Sequence, residues 1–200
     1  MRAILLAALF TVLAHQTAAE ELWEKLETFI IDRFEISLPS GPAWNPRSGN
    51  QWYNLSRRIR TQDGDFFLWI GFEVNYYPAN RYDWTAAEIA RDVRDVEALK
   101  LLEEEAKTGN QLAVLEYKQG LHAGQIAYSL LWAHRVYIES LERNVPAYQE
   151  LYVFLPADHY VDLRYMAIYF GAYCVSSCKH KFPSVNLLHP VLETVKISDH

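Results

Sequence analysis

Two cysteines in 200 residues allow one disulfide at most, so this chain is not a small scaffold held together by cross-links. Basic charge is also scarce. Nineteen Lys and Arg stand against 25 Asp and Glu, for a formal net charge of −6. Such a chain lacks the electrostatic footprint of a nucleic-acid binder and is poorly matched to anionic lipid surfaces. Eight glycines and eight prolines are too few for a fibrous or low-complexity chain. No apolar run reaches the roughly 20 residues that span a bilayer. Also missing are a Gly-x-Ser-x-Gly elbow, a phosphate-cradling glycine loop, a His-Glu-x-x-His helix and any internal repeat. What is present in quantity is apolar and aromatic surface. Half of the residues are hydrophobic, with 6 Trp, 13 Tyr and 9 Phe, the composition of a globular protein with a full core.

The N-terminus predicts an export signal. Met1 and Arg2 form a basic start, and residues 4–14 (ILLAALFTVLA) an apolar run too short to cross a membrane. Thr17, Ala18 and Ala19 then offer small side chains ahead of Glu20 and Glu21, as a signal peptidase requires. The expected organisation is a signal peptide over 1–19 and a single α+β domain over 20–200, secreted or periplasmic and therefore in an oxidising compartment.

Along the rest of the chain the hydrophobic period changes twice. Alternation in residues 34–38 (FEISL) predicts a strand with one buried face, stopped by Pro39, Gly41 and Pro42. Residues 52–60 and 66–77 read as two more strands, joined by a hairpin turn at Asp63-Gly64. The second of these is apolar on both faces, which places it inside the sheet. Ile89, Val93, Val96, Leu99, Leu102 and Ala106 then recur at helical steps, after a capping box at Thr85 and Glu88 and before a stop at Gly109-Asn110. Strands follow over 112–117, 126–138, 148–155 and 160–173. They are separated in part by turns at 144–146 and 156–158, and a short helix is expected at 187–195. This order predicts an α+β fold: an antiparallel β-sheet of about six or seven strands, with one long central helix and a short C-terminal helix packed on it. The rival all-β reading is a lipocalin-like barrel.

Residues 34–44 (FEISLPSGPAW) resemble the opening strand and Pro/Gly/Trp loop of PsbP-like proteins. That family includes photosystem PsbP, the Ran-binding Mog-type proteins and DcrB. The long helix after the early strands, and the late strands followed by a helix and a short strand (187–197), are similar in order. The resemblance implies a non-enzymatic accessory or binding role and transfers no catalytic residue. The Cys-x-x-x-Cys stretch and the long strands near 125–142 and 159–173 depart from it.

Three groups of residues invite chemistry. Cys174 and Cys178 are four apart and can close a small disulfide in an oxidising compartment. Alternatively Cys174, Cys178 and His180 offer thiolates and an imidazole to a metal ion, or the thiols serve redox exchange. Trp69 and Tyr77 share one face of their strand, and Tyr165, Tyr169 and Tyr173 one face of another. If the faces coincide, the sheet carries a row of rings suited to sugars, peptides or proteins, because a ring buries much area at low entropic cost. Third, Arg57, Arg58 and Arg60 form a basic cluster best read as guarding a strand edge. His122 and His134 are candidate general bases, yet no partner for either is evident.

The expected function is therefore a secreted or periplasmic, non-enzymatic binding or accessory protein with an aromatic-rich sheet face. Its partner is a protein, peptide or sugar of the cell envelope or extracellular space, and no cofactor is called for. The alternative is a metal-binding or thiol-redox protein centred on Cys174, Cys178 and His180.

Overall fold

Alternating apolar and polar residues build most of the described chain into strands. The computed structural model describes residues 25–61, 64–77, 83–108, 113–156, 164–176, 178 and 189–198. In order, these hold β1 (Leu26–Ile31), β2 (Phe34–Pro39), β3 (Asn45–Ser48), β4 (Trp52–Thr61), β5 (Gly64–Tyr76), helix α1 (Ala86–Thr108), β6 (Ala113–His122), β7 (Gln125–Ile138), β8 (Arg143–Phe154) and β9 (Arg164–Ser176). A six-residue 3₁₀ helix (His189–Thr194) and β10 (Lys196–Ile197) follow. All strand pairs are antiparallel and fall into two sheets. One has the order β1-β2-β10, the other β3-β4-β5-β9-β8-β7-β6.

Phe34, Ile36 and Leu38 of β2 point inward, as their alternation predicts, and are fully buried. They meet Leu55, Ile70, Phe72, Val74, Phe154, Met166, Ile168 and Phe170 of the larger sheet, with Val191, Leu192 and Val195 closing the end. The main core thus lies between the two sheets. β5 sits between β4 and β9, inside the sheet, and its apolar residues on both faces explain why. Gly64 opens it at φ +142°, a value that side chains rarely adopt. A Cβ there would also meet the Cα of Cys178 at 2.8 Å.

The α+β expectation is not what forms. The protein is mostly β, and no long central helix is packed on the sheet as a layer. Helix α1 has the predicted span. Its box is in place too: the Thr85 amide donates to Glu88 Oε2 at 2.8 Å and the Glu88 amide to Thr85 Oγ1 at 3.3 Å. Of the expected stripe, Ile89 is buried and Val93 packs on the sheet, but Val96, Leu99 and Leu102 are exposed, Leu99 by 59%. The helix instead rests on Leu130, Leu151, Val153 and Ala167 through Ala90 and Ala98, with Val93 packed alongside. Small residues let it lie close to β7 and β8, and that choice turns the leucines outward. Period alone reveals a stripe, not which side of the helix the sheet takes.

Two more corrections follow. The C-terminal helix is one 3₁₀ segment, with Pro190 in its first turn where no amide bond is lost. The residues expected to turn at 144–146 lie inside β8, and the reversal comes at Glu139–Leu141, ending on Glu142 at φ 50°. Gly109-Asn110, Asp63 and residues 157–158 lie outside the described residues. No helix among the described residues is long and apolar enough to cross a membrane.

Replacing Thr85 with alanine removes the hydroxyl that accepts the Glu88 amide. It is expected to cost about 1 kcal/mol and to speed amide exchange in the first turn of α1. Unchanged exchange there would show that the cap does not hold the helix start.

Candidate aromatic sheet face

Residues paired directly across an antiparallel ladder share a face, so register decides which side chains meet. Across the larger sheet one line runs Arg58–Phe67–Tyr173–Ala147–His134. The next runs Ser56–Trp69–Gly171–Gln149–Trp132, and the third Asn54–Gly71–Tyr169–Leu151–Leu130. Tyr165 stands on the same face, across from Asn75. All three lines lie opposite the main core. Helix α1 covers the β7 and β8 side, where Trp132, Leu130 and Leu151 are buried, and Tyr165 and Tyr169 of β9 pack against the same cluster. Phe67, Trp69, Tyr165, Tyr169 and Tyr173 are half-buried.

Four of the five sequence-predicted ring residues are thus brought together: Trp69, Tyr165, Tyr169 and Tyr173. Tyr77 is not one of them, because β5 ends at Tyr76 and the Tyr77 ring is buried. Phe67, which the sequence reading passed over, takes its place. It stacks on Tyr173 with centroids 4.9 Å apart and planes 22° apart. Its i−2 spacing from Trp69 was the available signal.

Gly171 shapes this face. A Cβ on it would fall 2.0 Å from Trp69 Cε2 and 2.1 Å from Nε1. The indole therefore lies directly over the Gly171 backbone, in space only glycine leaves open. Around it the polar groups are engaged. Tyr169 donates to Glu73 Oε1 at 2.7 Å. Gln149 Nε2 lies 2.8 Å from His134 Nε2, which places a side-chain amide beside the imidazole. Arg58 grips Asp65 through two bonds, Nε to Oδ1 at 2.9 Å and Nη2 to Oδ2. The Arg58 guanidinium holds the Asp65 carboxyl below its ordinary value. Burial raises the hydroxyl of Tyr165 to about 12, helped by Glu73 and Glu97, and burial also raises those of Tyr169 and Tyr173. All three are neutral donors at physiological pH.

The Arg cluster sits where an edge needs guarding. β3 pairs only with residues 53–56 of β4, so Arg57, Arg58 and Arg60 line the half of β4 that β3 leaves open.

A second polar group lies on the core side. Glu150 is buried and in line with Phe170. It accepts from Tyr148 at 2.7 Å, from Tyr152 at 2.9 Å and lies 2.9 Å from His189 Nε2. Beside it His122 stands edge-on to Tyr152 and 3.3 Å from Glu193. The sequence alone could not have paired Glu150 with a histidine 39 residues away.

Cys174 and Cys178 are joined in a disulfide. Sulfurs bonded to each other are not thiolate ligands, and His180, the third member of the alternative centre, lies outside the described residues.

No family model and no curated protein sequence matches the chain. Its structure is similar to the solution structure of cyanobacterial PsbP (CyanoP) from Synechocystis sp. PCC 6803, with 14% sequence identity and a TM-score of 0.46, over 86% of this chain and 92% of that one.

Proposed function

We propose that the protein is an exported, non-enzymatic recognition module, and that the open aromatic face of its larger sheet makes the contact. The observation that carries this reading is the convergence of Trp69, Tyr169, Tyr173 and Phe67 on one face by register. Half-buried rings on a rigid strand platform bind without having to order a loop first. The carboxylates of this region are already held, Glu73 by Tyr169 and Asp65 by Arg58. That suits holding a partner better than moving protons. Export rests on the leader at residues 1–19, and an intramolecular disulfide accords with an oxidising destination.

The test is capture. The protein starting at Glu20, immobilised, is offered the envelope and medium fractions of its host. Trp69→Ala combined with Tyr173→Ala is expected to lose the captured material, and Tyr137→Ala, exposed on the opposite face, to keep it. Capture equal in all three proteins ends this reading.

A further inference from the structure

The aromatic face has the features of a site for a neutral oligosaccharide, and this ligand class deepens the recognition reading and rests on it. We infer that a neutral glycan chain lies across β4, β5, β9 and β8, stacked on Trp69 and flanked by the Phe67–Tyr173 pair, with Tyr169 at the margin of helix α1. Three observations carry the inference.

The first is the flat indole. Because Gly171 has no side chain, one face of Trp69 is seated on the sheet and the other is turned away from it. An indole held this way is a platform for the C–H face of a pyranose ring, where apolar contact is made without bending the sheet. The stacked Phe67–Tyr173 pair extends the platform one line further.

The second is the chemistry between the rings. The lines interleave them with neutral hydrogen-bonding side chains: Ser56 and Asn54 on β4 and the Tyr173 hydroxyl on β9, while Tyr169, which donates to Glu73, and Gln149, whose Nε2 lies beside His134, still have oxygens that can accept. Hydroxyl, amide and phenol groups donate and accept, which matches the donor-acceptor character of sugar hydroxyls. From β4 to β8 is three strand spacings, about 14 Å. That span suits several linked sugars and exceeds a single one.

The third is charge. Arg58 is bound to Asp65, and Glu73 accepts from Tyr169. Arg60, 3.8 Å from the same Asp65 carboxylate, stands at the open β4 edge, so exposed positive charge is confined to that edge and the row of rings from Trp69 to Tyr173 carries none. A polyanionic ligand would also meet a chain of net charge −6. The ligand that costs this surface least is uncharged.

The experiment titrates the protein starting at Glu20 with chitohexaose, cellohexaose, xylohexaose and maltohexaose, followed by calorimetry and by tryptophan emission. At least one hexasaccharide is expected to bind and to shift the emission. Trp69→Ala should weaken that binding tenfold or more and abolish the shift. Gly171→Ala, which displaces the indole and leaves the ring in the chain, should weaken it as well, in protein whose circular dichroism is unchanged. Tyr137→Ala should bind as the parent does. Binding of none of the four sugars overturns the inference, and so does binding indifferent to both Trp69→Ala and Gly171→Ala. If no sugar binds while capture from host fractions still requires Trp69, the ligand is a protein: the glycan inference fails and the recognition reading stands. If both tests are negative, the recognition reading falls too.

Discussion

Replacing Glu150 with alanine is expected to lower the free energy of unfolding by about 3–5 kcal/mol, since each buried partner left without its acceptor costs about 1–3 kcal/mol. The carboxylate is 2% exposed and receives Tyr148, Tyr152 and His189 together. Without it the buried Tyr152 hydroxyl, the partly buried Tyr148 hydroxyl and the His189 imidazole at the margin of the core lose their acceptor, and a buried group left unmade is costly. His189 also opens the 3₁₀ segment that brings Val191 and Leu192 to the core, so the loss should spread there. Glu150→Gln keeps the shape and one acceptor oxygen and should cost less. The pH dependence follows from the same geometry. Burial raises the Glu150 carboxyl, but the bonds from His189, Tyr148 and Tyr152 outweigh it and leave the group below its ordinary value of 4.5. A carboxyl depressed on folding stabilises the native state above its unfolded value, and that contribution drains away as pH falls below it. Chemical denaturation from pH 7 down to pH 3 should therefore show a steeper fall in the parent than in Glu150→Gln. Equal slopes would mean that the carboxylate is not what the cluster is built around.

Phe72→Ala should cost a similar amount, about 3–5 kcal/mol, as expected for a fully buried phenylalanine. The ring lies in the main core and within 6.2 Å of both Phe29 of β1 and Tyr53 of β4, counted between centroids. Phe29 and Tyr53 are themselves 4.1 Å apart. Phe72 thus ties the three-stranded sheet to the seven-stranded one. Its loss should speed amide exchange in β1 more than in β9. A uniform increase across both sheets would show that the two have no separable joint.

Much of this architecture is legible where local physics decides. The alternation at 34–38, the β5 residues apolar on both faces, the Thr85–Glu88 box and the span of α1 all correspond to observed elements. What is not legible is partnership. β1 (LETFII) carries an alternation too weak to separate it from β2, and β3 is four exposed residues held only by pairing with β4. Two sheets cannot be told from one when the dividing information is which strands are neighbours, and that is also why the α+β expectation failed. The candidate site divides the same way. The alternation on each strand placed Trp69 with its neighbours and Tyr165, Tyr169 and Tyr173 with one another. Only the pairing of Trp69 with Gly171 joins the two sets. Tyr77 was misplaced because a period does not announce where its strand stops.

β2 lies between β1 and β10, and its Ser37 amide donates to Thr194 Oγ1, 157 residues further along the chain. The inner face of the larger sheet therefore has no finished cover until residues 189–197 have left the ribosome. Until then Ile70, Phe72 and Phe170 can be shielded only by incomplete structure, and closure depends on contacts of very long sequence separation, which form slowly. A newborn chain of this kind passes through a long sticky adolescence, and chaperone demand during synthesis is a cost written into its strand order.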